Sequence, residues 1–255
     1  VVLMTVKLRR KFLAVLPSYV GIAAVIVGVL ISNHSAQSVK TDFISVNGNE
    51  AIVMTSGDGA VICDVSGGSL YTLNSAYGIA TESGATEVEA LMLTHYHEKH
   101  LYAVASFVRL SRVRRLYLPT PKTAEDAATM SCLYDAVLSE GVECYIYNDS
   151  EILLETAEFP HITTKANKLH PNSSSDHHGV SLLIYDEGKS VAYLSESALT
   201  NEDVAAYQNS DHLILGAHGT LPEKCEDLLI PSAAEVTFAD KVKYHKLIPN
   251  IKNPA

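Results

Sequence analysis

Cysteine is scarce and scattered in this chain. Of 255 residues only Cys63, Cys132, Cys144 and Cys225 are cysteine, and no two form a Cys-x-x-Cys pair. That spacing argues against a structural zinc site of the thiolate kind, which draws its ligands from closely paired cysteines. Cys63 stands inside the apolar run AVICDV and is expected as a small core residue. A disulfide stays open if the domain lies outside a membrane. Acidic residues are missing from the first 32 positions, and no Lys or Arg occurs between Lys11 and Lys40. No internal repeat is present, and the one biased tract is Ser173-Ser174-Ser175.

What is present near the N-terminus is a long uncharged run, Phe12 to Ser32, of 21 residues. A helix of roughly 20 apolar residues crosses the hydrocarbon core of a bilayer, so a membrane span is expected here. A signal peptide and a buried helix are the alternatives. The run exceeds the roughly 7–15 residues of a signal core, and Asn33-His34-Ser35-Ala36-Gln37 fits a small-residue cleavage site poorly. Pro17 near the start of a span is tolerated. Lys7, Arg9, Arg10 and Lys11 precede the run closely, which by the positive-inside rule leaves the N-terminus cytoplasmic and the rest outside. The chain opens Val1-Val2 and is expected to be cut from a longer protein. The expected organisation is a basic cytoplasmic flank (1–11), a transmembrane helix (12–32), a linker (33–41) and one extracellular domain (42–255) at the cell membrane.

Beyond position 32 stand fifteen basic residues against twenty-nine acidic ones, a net of −14. Such a field repels a phosphate backbone, so nucleic acid would need a local basic strip or a bound metal. The one basic cluster is Arg109-Leu110-Ser111-Arg112-Val113-Arg114-Arg115, and a solvated helix end is its simpler explanation.

Short β-branched runs with turn punctuation predict strands over 42–46, 51–55 and 60–65, with "SGDG" (56–59) turning a hairpin. Further strands are expected over 88–94, 115–118, 143–147, 152–154, 180–185, 191–194 and 212–216. Helices are expected over 103–112, 123–139 and 201–208, the second capped by Thr123 with Glu125 and Asp126 in its first turn. Strands interleaved with helices predict a layered α/β domain.

The chemistry concentrates in "THYHEKH" (94–100), which follows the apolar run Ala90-Leu91-Met92-Leu93. His95 and His97 are two residues apart, so an extended chain points them the same way, and His100 follows within a turn. Imidazole nitrogens bind zinc at about 2.0–2.1 Å, so such ligands must converge. Lys99 stands among them, and a protonated lysine has donors but no lone pair with which to ligate. His34, His161, His212 and His245 belong to no constellation. The pair His177-His178 is expected as a loop without function unless one of them serves as a third ligand.

The stretch 94–100 resembles the His-x-His-x-Asp-His signature of the metallo-β-lactamase superfamily, with Lys99 in the aspartate position. "ISVNGNEAIVMTSGDGAVICDVSGG" (44–68), "LHP" (169–171), "VSLLIYDEGKSVAYLSES" (180–197) and "HLILGAHGT" (212–220) resemble, in order, the blocks of the extracellular domain of ComEC-type DNA-uptake proteins. The resemblance implies a four-layer αββα metallo-β-lactamase fold behind one transmembrane helix. It also implies an upstream membrane channel domain in a longer parent chain and single-stranded DNA as a partner. Carried over residue by residue, one metal site keeps His95 and His97, with a third histidine from His170, His177 or His178. A second keeps His100 and His218 but loses its carboxylate to Lys99. The bridging position falls on Ser197, and Glu196 is the nearest carboxylate. Asp64 aligns with a residue that braces the histidine loop, a surface cap being the alternative.

Other family positions are also changed. Ser45, Asn47, Asn49 and Glu50 replace an Asp, two Gly and an Asp, Tyr102-Ala103 replaces Gly-Gly, and Ala217 replaces a histidine. The family's chemistry acidifies a metal-held water for attack on a phosphoryl or acyl centre. With Lys99 in place, the expectation is one zinc or manganese ion, or none. Lys99 either pairs with Glu196 or extends into solvent. Two functions are compatible with this pattern. One is a degenerate or single-metal domain, non-catalytic or impaired, within DNA uptake or a surface assembly. The other is an active phosphodiesterase or nuclease. The lost carboxylates and acidic surface favour the first.

Overall fold

A computed structural model describes residues 39–46, 49–65, 70–148, 152–154, 159, 161–166, 179–186, 189–194, 207, 209–215 and 235–238. All of them fall in the compact unit Val39–Ala255. The expected transmembrane run 12–32 and the 201–208 helix, apart from Tyr207, lie outside these residues. Among the described residues no helix is long and apolar enough to cross a membrane.

Among the described residues two six-stranded mixed sheets form the frame. Sheet A has the order β1 (Lys40–Val46), β2 (Asn49–Ser56), β3 (Gly59–Cys63), β4 (Glu87–Met92), β5 (Val113–Pro119), β6 (Glu143–Tyr147). Its first three strands are antiparallel, and β3 to β6 are parallel. Parallel neighbours need crossovers, which helices commonly make. Here α1 (Leu70–Glu82), α2 (Glu98–Leu110) and α3 (Ala124–Leu138) fill the three connections. Sheet B has the order β12 (Glu235–Phe238), β11 (His212–Leu215), β10 (Lys189–Leu194), β9 (Val180–Asp186), β8 (His161–Ala166), β7 (Ile152–Leu154).

Strand alternation separates two cores. Ala51 and Val53 of β2 face the helices with Leu73, Val104, Phe107 and Leu133. Ile52 and Met54 face sheet B with Ile162, Leu182, Ile184 and Tyr193. The described molecule is therefore an α/β mixed-sheet fold, helices on one face of sheet A and sheet B on the other. The second helical layer of the expected four falls outside the described residues.

Local signals explain much of this. Gly57, at φ 59°, makes the left-handed turn of the β2–β3 hairpin. Thr123 caps α3 in a capping box with Asp126. The arginines of 109–115 all have carboxylate partners: Arg109 with Glu140, Arg112 with Glu87, Arg114 with Glu89 and Glu87, and Arg115 with Glu143. Cys63, Cys132 and Cys144 are free thiols, and Cys63 is buried as expected.

Gly59 opens β3 where the sheets meet, and a Cβ there would stand 2.8 Å from the Phe159 ring. Gly59→Ala is therefore expected to destabilise the domain by about 1–3 kcal/mol through overpacking. Urea unfolding measures this; an unchanged midpoint would show that Phe159 yields freely.

Candidate metal centre

The site forms where β3 and β4 end on the same edge of sheet A, the carboxyl edge at which open parallel sheets tend to bind ligands. The chain leaves β4 through Leu93–His97 and enters α2 at Glu98. This loop is pinned at successive residues. Leu93 N–H donates to Tyr117 O at 3.0 Å, and Val180 N–H donates to Thr94 O at 2.8 Å. The Tyr147 hydroxyl donates to Leu93 O, and the Tyr96 hydroxyl to Pro119 O. Burial, and secondarily the negative charge of Asp64, push the Tyr147 phenol well above its ordinary value, so it stays a donor.

Asp64 follows β3 at φ 53°, a left-handed conformation that aspartate tolerates better than most residues. Its carboxylate is buried and accepts from Thr94 twice, from the backbone N–H at 2.7 Å and from the hydroxyl. Asp64 therefore braces the histidine loop, as the resemblance implies, and is no surface cap.

The hydroxyl proton of Thr94 is directed at Asp64, and that direction fixes the histidine tautomers. His95 Nδ1 lies 3.0 Å from Thr94 Oγ1 and must donate to it. His100 Nδ1 lies 3.0 Å from Val65 O, which only accepts, so this nitrogen also carries a proton. In neutral imidazoles neither Nε2 then carries a proton, yet the two face each other at 3.1 Å. Two lone pairs at that separation repel unless a cation lies between them. Nitrogens bound to one tetrahedral zinc stand about 3.3 Å apart at the usual bond length. Metal-bound histidines commonly hold the other ring N–H on a carbonyl or carboxylate-linked group, as both do here. The residues present fit a metal.

One potential ligand atom from each of Asp64, His95 and His100 lies within 4.8 Å of the others, and all three residues are buried. Both oxygens of Asp64 already accept from Thr94, so it contributes charge and bracing first. His97 is half-buried, its ring centroid 6.4 Å from that of His95 and 6.3 Å from that of His100. His95 and His100 are closer, at 4.6 Å. The closest pair is thus His95–His100 rather than the i, i+2 pair the extended-chain reading favoured. The cause is local: the chain bends at Thr94 and His95, and His100 N–H bonds His97 O at 2.9 Å as α2 begins, which carries His100 back over His95.

Glu196, His218, His170, His177, His178, Ser197 and Ala217 lie outside the described residues, as does the Lys99 side chain. Cys63, beside the site, has its thiol pushed well above the ordinary value by burial and then by Asp64. The sequence reading missed Thr94 as the tautomer-setting group. The signal available was a threonine immediately before the first motif histidine.

No protein family and no curated protein sequence matches the chain. Metallo-β-lactamase-fold proteins are among its structural neighbours. Solved structures similar to it include zinc-bound PqqB from Methylobacterium extorquens, at 15% identity and TM-score 0.49 over 72% of this chain and 65% of that one. This chain thus spans just under two thirds of PqqB. YhfI from Bacillus subtilis is 17% identical with TM-score 0.46, covering 70% and 68%. The metallo-β-lactamase MIM-1 from Novosphingobium pentaromativorans is 13% identical with TM-score 0.48, covering 85% and 81%. The chemistry open to this chain is set by its own side chains.

Proposed function

We propose that this is a metallo-β-lactamase-fold domain that holds a single zinc ion through His95 Nε2 and His100 Nε2. The observation that carries the proposal is the 3.1 Å approach of two nitrogens whose neighbouring ring nitrogens both act as donors. Nitrogen ligands favour zinc over manganese, which prefers oxygen. Asp64 supplies negative charge, and His97 stands at the rim. Glu196 and one of His170, His177 or His178 are the further ligands this reading names for that ion, and His97 and His218 remain for a second one.

A zinc ion so held supplies Lewis acidity and acidifies water toward neutral pH. Lys99 in the place of a carboxylate leaves a second ion without a hard ligand. The domain is accordingly a single-metal member of ComEC-like type with absent or impaired hydrolysis. In this reading it is anchored by the 12–32 span, faces the outside of the cell and serves in a surface assembly or in DNA uptake. The carboxylate partners of the 109–115 arginines, together with the net −14 beyond position 32, favour an assembly role over direct contact with single-stranded DNA.

Lys99→Asp tests the reading. It restores an acceptor and removes an ammonium, so zinc stoichiometry is expected to rise from one toward two per chain, with Lys99→Ala gaining less. Elemental analysis gives the count, and hydrolysis of a simple phosphodiester is followed in parallel. A wild-type chain that already holds two ions, or a Lys99→Asp chain unchanged from it, contradicts a lysine-substituted second site. Brisk phosphodiester cleavage by the wild type would instead favour the active hydrolase.

A further inference from the structure

Of the edges that the two sheets present among the described residues, one lacks the usual protection against pairing. In sheet A, β1 opens with Lys40 and Asp42, which form an ion pair at 2.9 Å. In sheet B, β7 has three residues and β12 four, so both edges are blunted by length. The remaining edge strand, β6, reads Glu143-Cys144-Tyr145-Ile146-Tyr147, without lysine, proline or glycine. Its five pairs with β5 run without a bulge, and its one charged residue, Glu143, is met by Arg115. Tyr145 is 44% exposed and Ile146 55%, so apolar surface is open on both faces of the strand. Tyr145 stacks on Tyr117 of the core between the sheets, ring centroids 5.3 Å apart, whereas Cys144 packs on the core beneath the helices. By alternation Ile146 shares the face of Cys144.

The backbone decides what this edge can take. Thr120 N–H donates to Tyr147 O at 3.0 Å, so Tyr147 turns its peptide groups toward β5. Alternation turns those of Tyr145 the same way and those of Cys144 and Ile146 outward. Antiparallel pairing of two copies of β6 about a two-fold axis at Tyr145 sets each Cys144 opposite the other copy's Ile146. Each such pair exchanges two hydrogen bonds, four in all. The side chains match as well: Cys144 meets Ile146 on one face, and Tyr145 meets Tyr145 on the other. Glu143 falls opposite Tyr147, so no like charges stand face to face.

We propose that β6 is a self-association edge through which two copies of this chain join their A sheets into one. Five residues a side fall well short of the roughly 20–30 of a standard interface, so the dimer forms reversibly and grows with concentration. Sedimentation equilibrium of the full-length chain in detergent should show this monomer–dimer equilibrium. Ile146→Pro removes two of the four bonds and leaves the β5 ladder intact, because this N–H faces outward. It should weaken the dimer by at least about tenfold, while unfolding stays cooperative.

Tyr145→Cys should form a disulfide with its own counterpart under mild oxidation, since residues of a non-hydrogen-bonded antiparallel pair stand about 4.5 Å apart at Cα. Glu143→Cys, exposed on the same strand, should not, because its counterpart lies roughly 14 Å along the strand. Peptide mapping identifies the bond formed. Self-association of Ile146→Pro equal to wild type places the contact elsewhere and overturns the proposal, as does a 143–143 disulfide that forms as readily as 145–145. A wild type that stays monomeric also overturns it, and an extended segment of another protein is then the occupant to seek. If Ile146→Pro does not fold, the two cysteine variants decide alone.

Discussion

His100→Ala should lose zinc binding by at least about 100-fold, more than the loss usual for an outer-shell partner, because it removes one of two convergent nitrogens. His95→Ala should behave likewise. The comparison with metal-free protein is informative. His100 is buried and bonds Val65 O, so its removal costs a hydrogen bond of about 0.5–1.5 kcal/mol and leaves a small cavity. It also relieves the opposition of the two Nε2 lone pairs. The metal-free variant should therefore unfold only slightly earlier than wild type, while zinc, which should raise the wild-type midpoint, should no longer protect. Zinc titration followed by thermal unfolding measures both. A variant that is strongly destabilised without zinc and still stabilised by it would mean that His100 serves packing.

Asp64→Ala should be the most damaging single change to the fold itself. It strands the buried Thr94 N–H and hydroxyl, at about 1–3 kcal/mol for each orphaned group. It also places alanine at φ 53°, which adds about 1 kcal/mol of strain. A loss of roughly 3 kcal/mol or more is expected in urea unfolding, with zinc binding weakened in whatever folds. Asp64→Asn tolerates the backbone and keeps one oxygen, but its amide donors meet Thr94 donors, so it should fall between wild type and alanine. Equal stability of Asp64→Ala and wild type would remove the brace from the site.

The sequence showed the frame more clearly than the site. Apolar runs, the "SGDG" turn and the Thr123 cap marked most strands and α3, because each is a local signal. The first helix, LYTLNSAYGIATE, escaped notice: it has no acidic residue in its first turn, no basic residue in its last and a glycine inside. Strand β8, HITTKA, alternates too weakly to declare itself, and β12 lies in the poorly readable C-terminal region. Within the motif the residue types were legible and their pairing was not. The spacing of His95 and His97 suggests a shared direction only if the chain stays extended, and it does not: α2 begins at Glu98, five residues before the periodicity placed it. Asp64 came from the family resemblance, whereas Tyr193 and Glu50 meet across 143 positions of sequence, a contact that local pattern does not encode.

Zinc titrated into the full-length chain with ¹⁵N-labelled histidine tests the centre most directly. The Nε2 resonances of His95 and His100 should shift together and saturate at one zinc per chain, while both Nδ1–H signals remain. If zinc leaves those resonances in place, and the metal-free pair instead shows one proton shared between the two Nε2 atoms, then the cation between His95 and His100 is a proton and the site is no metal centre.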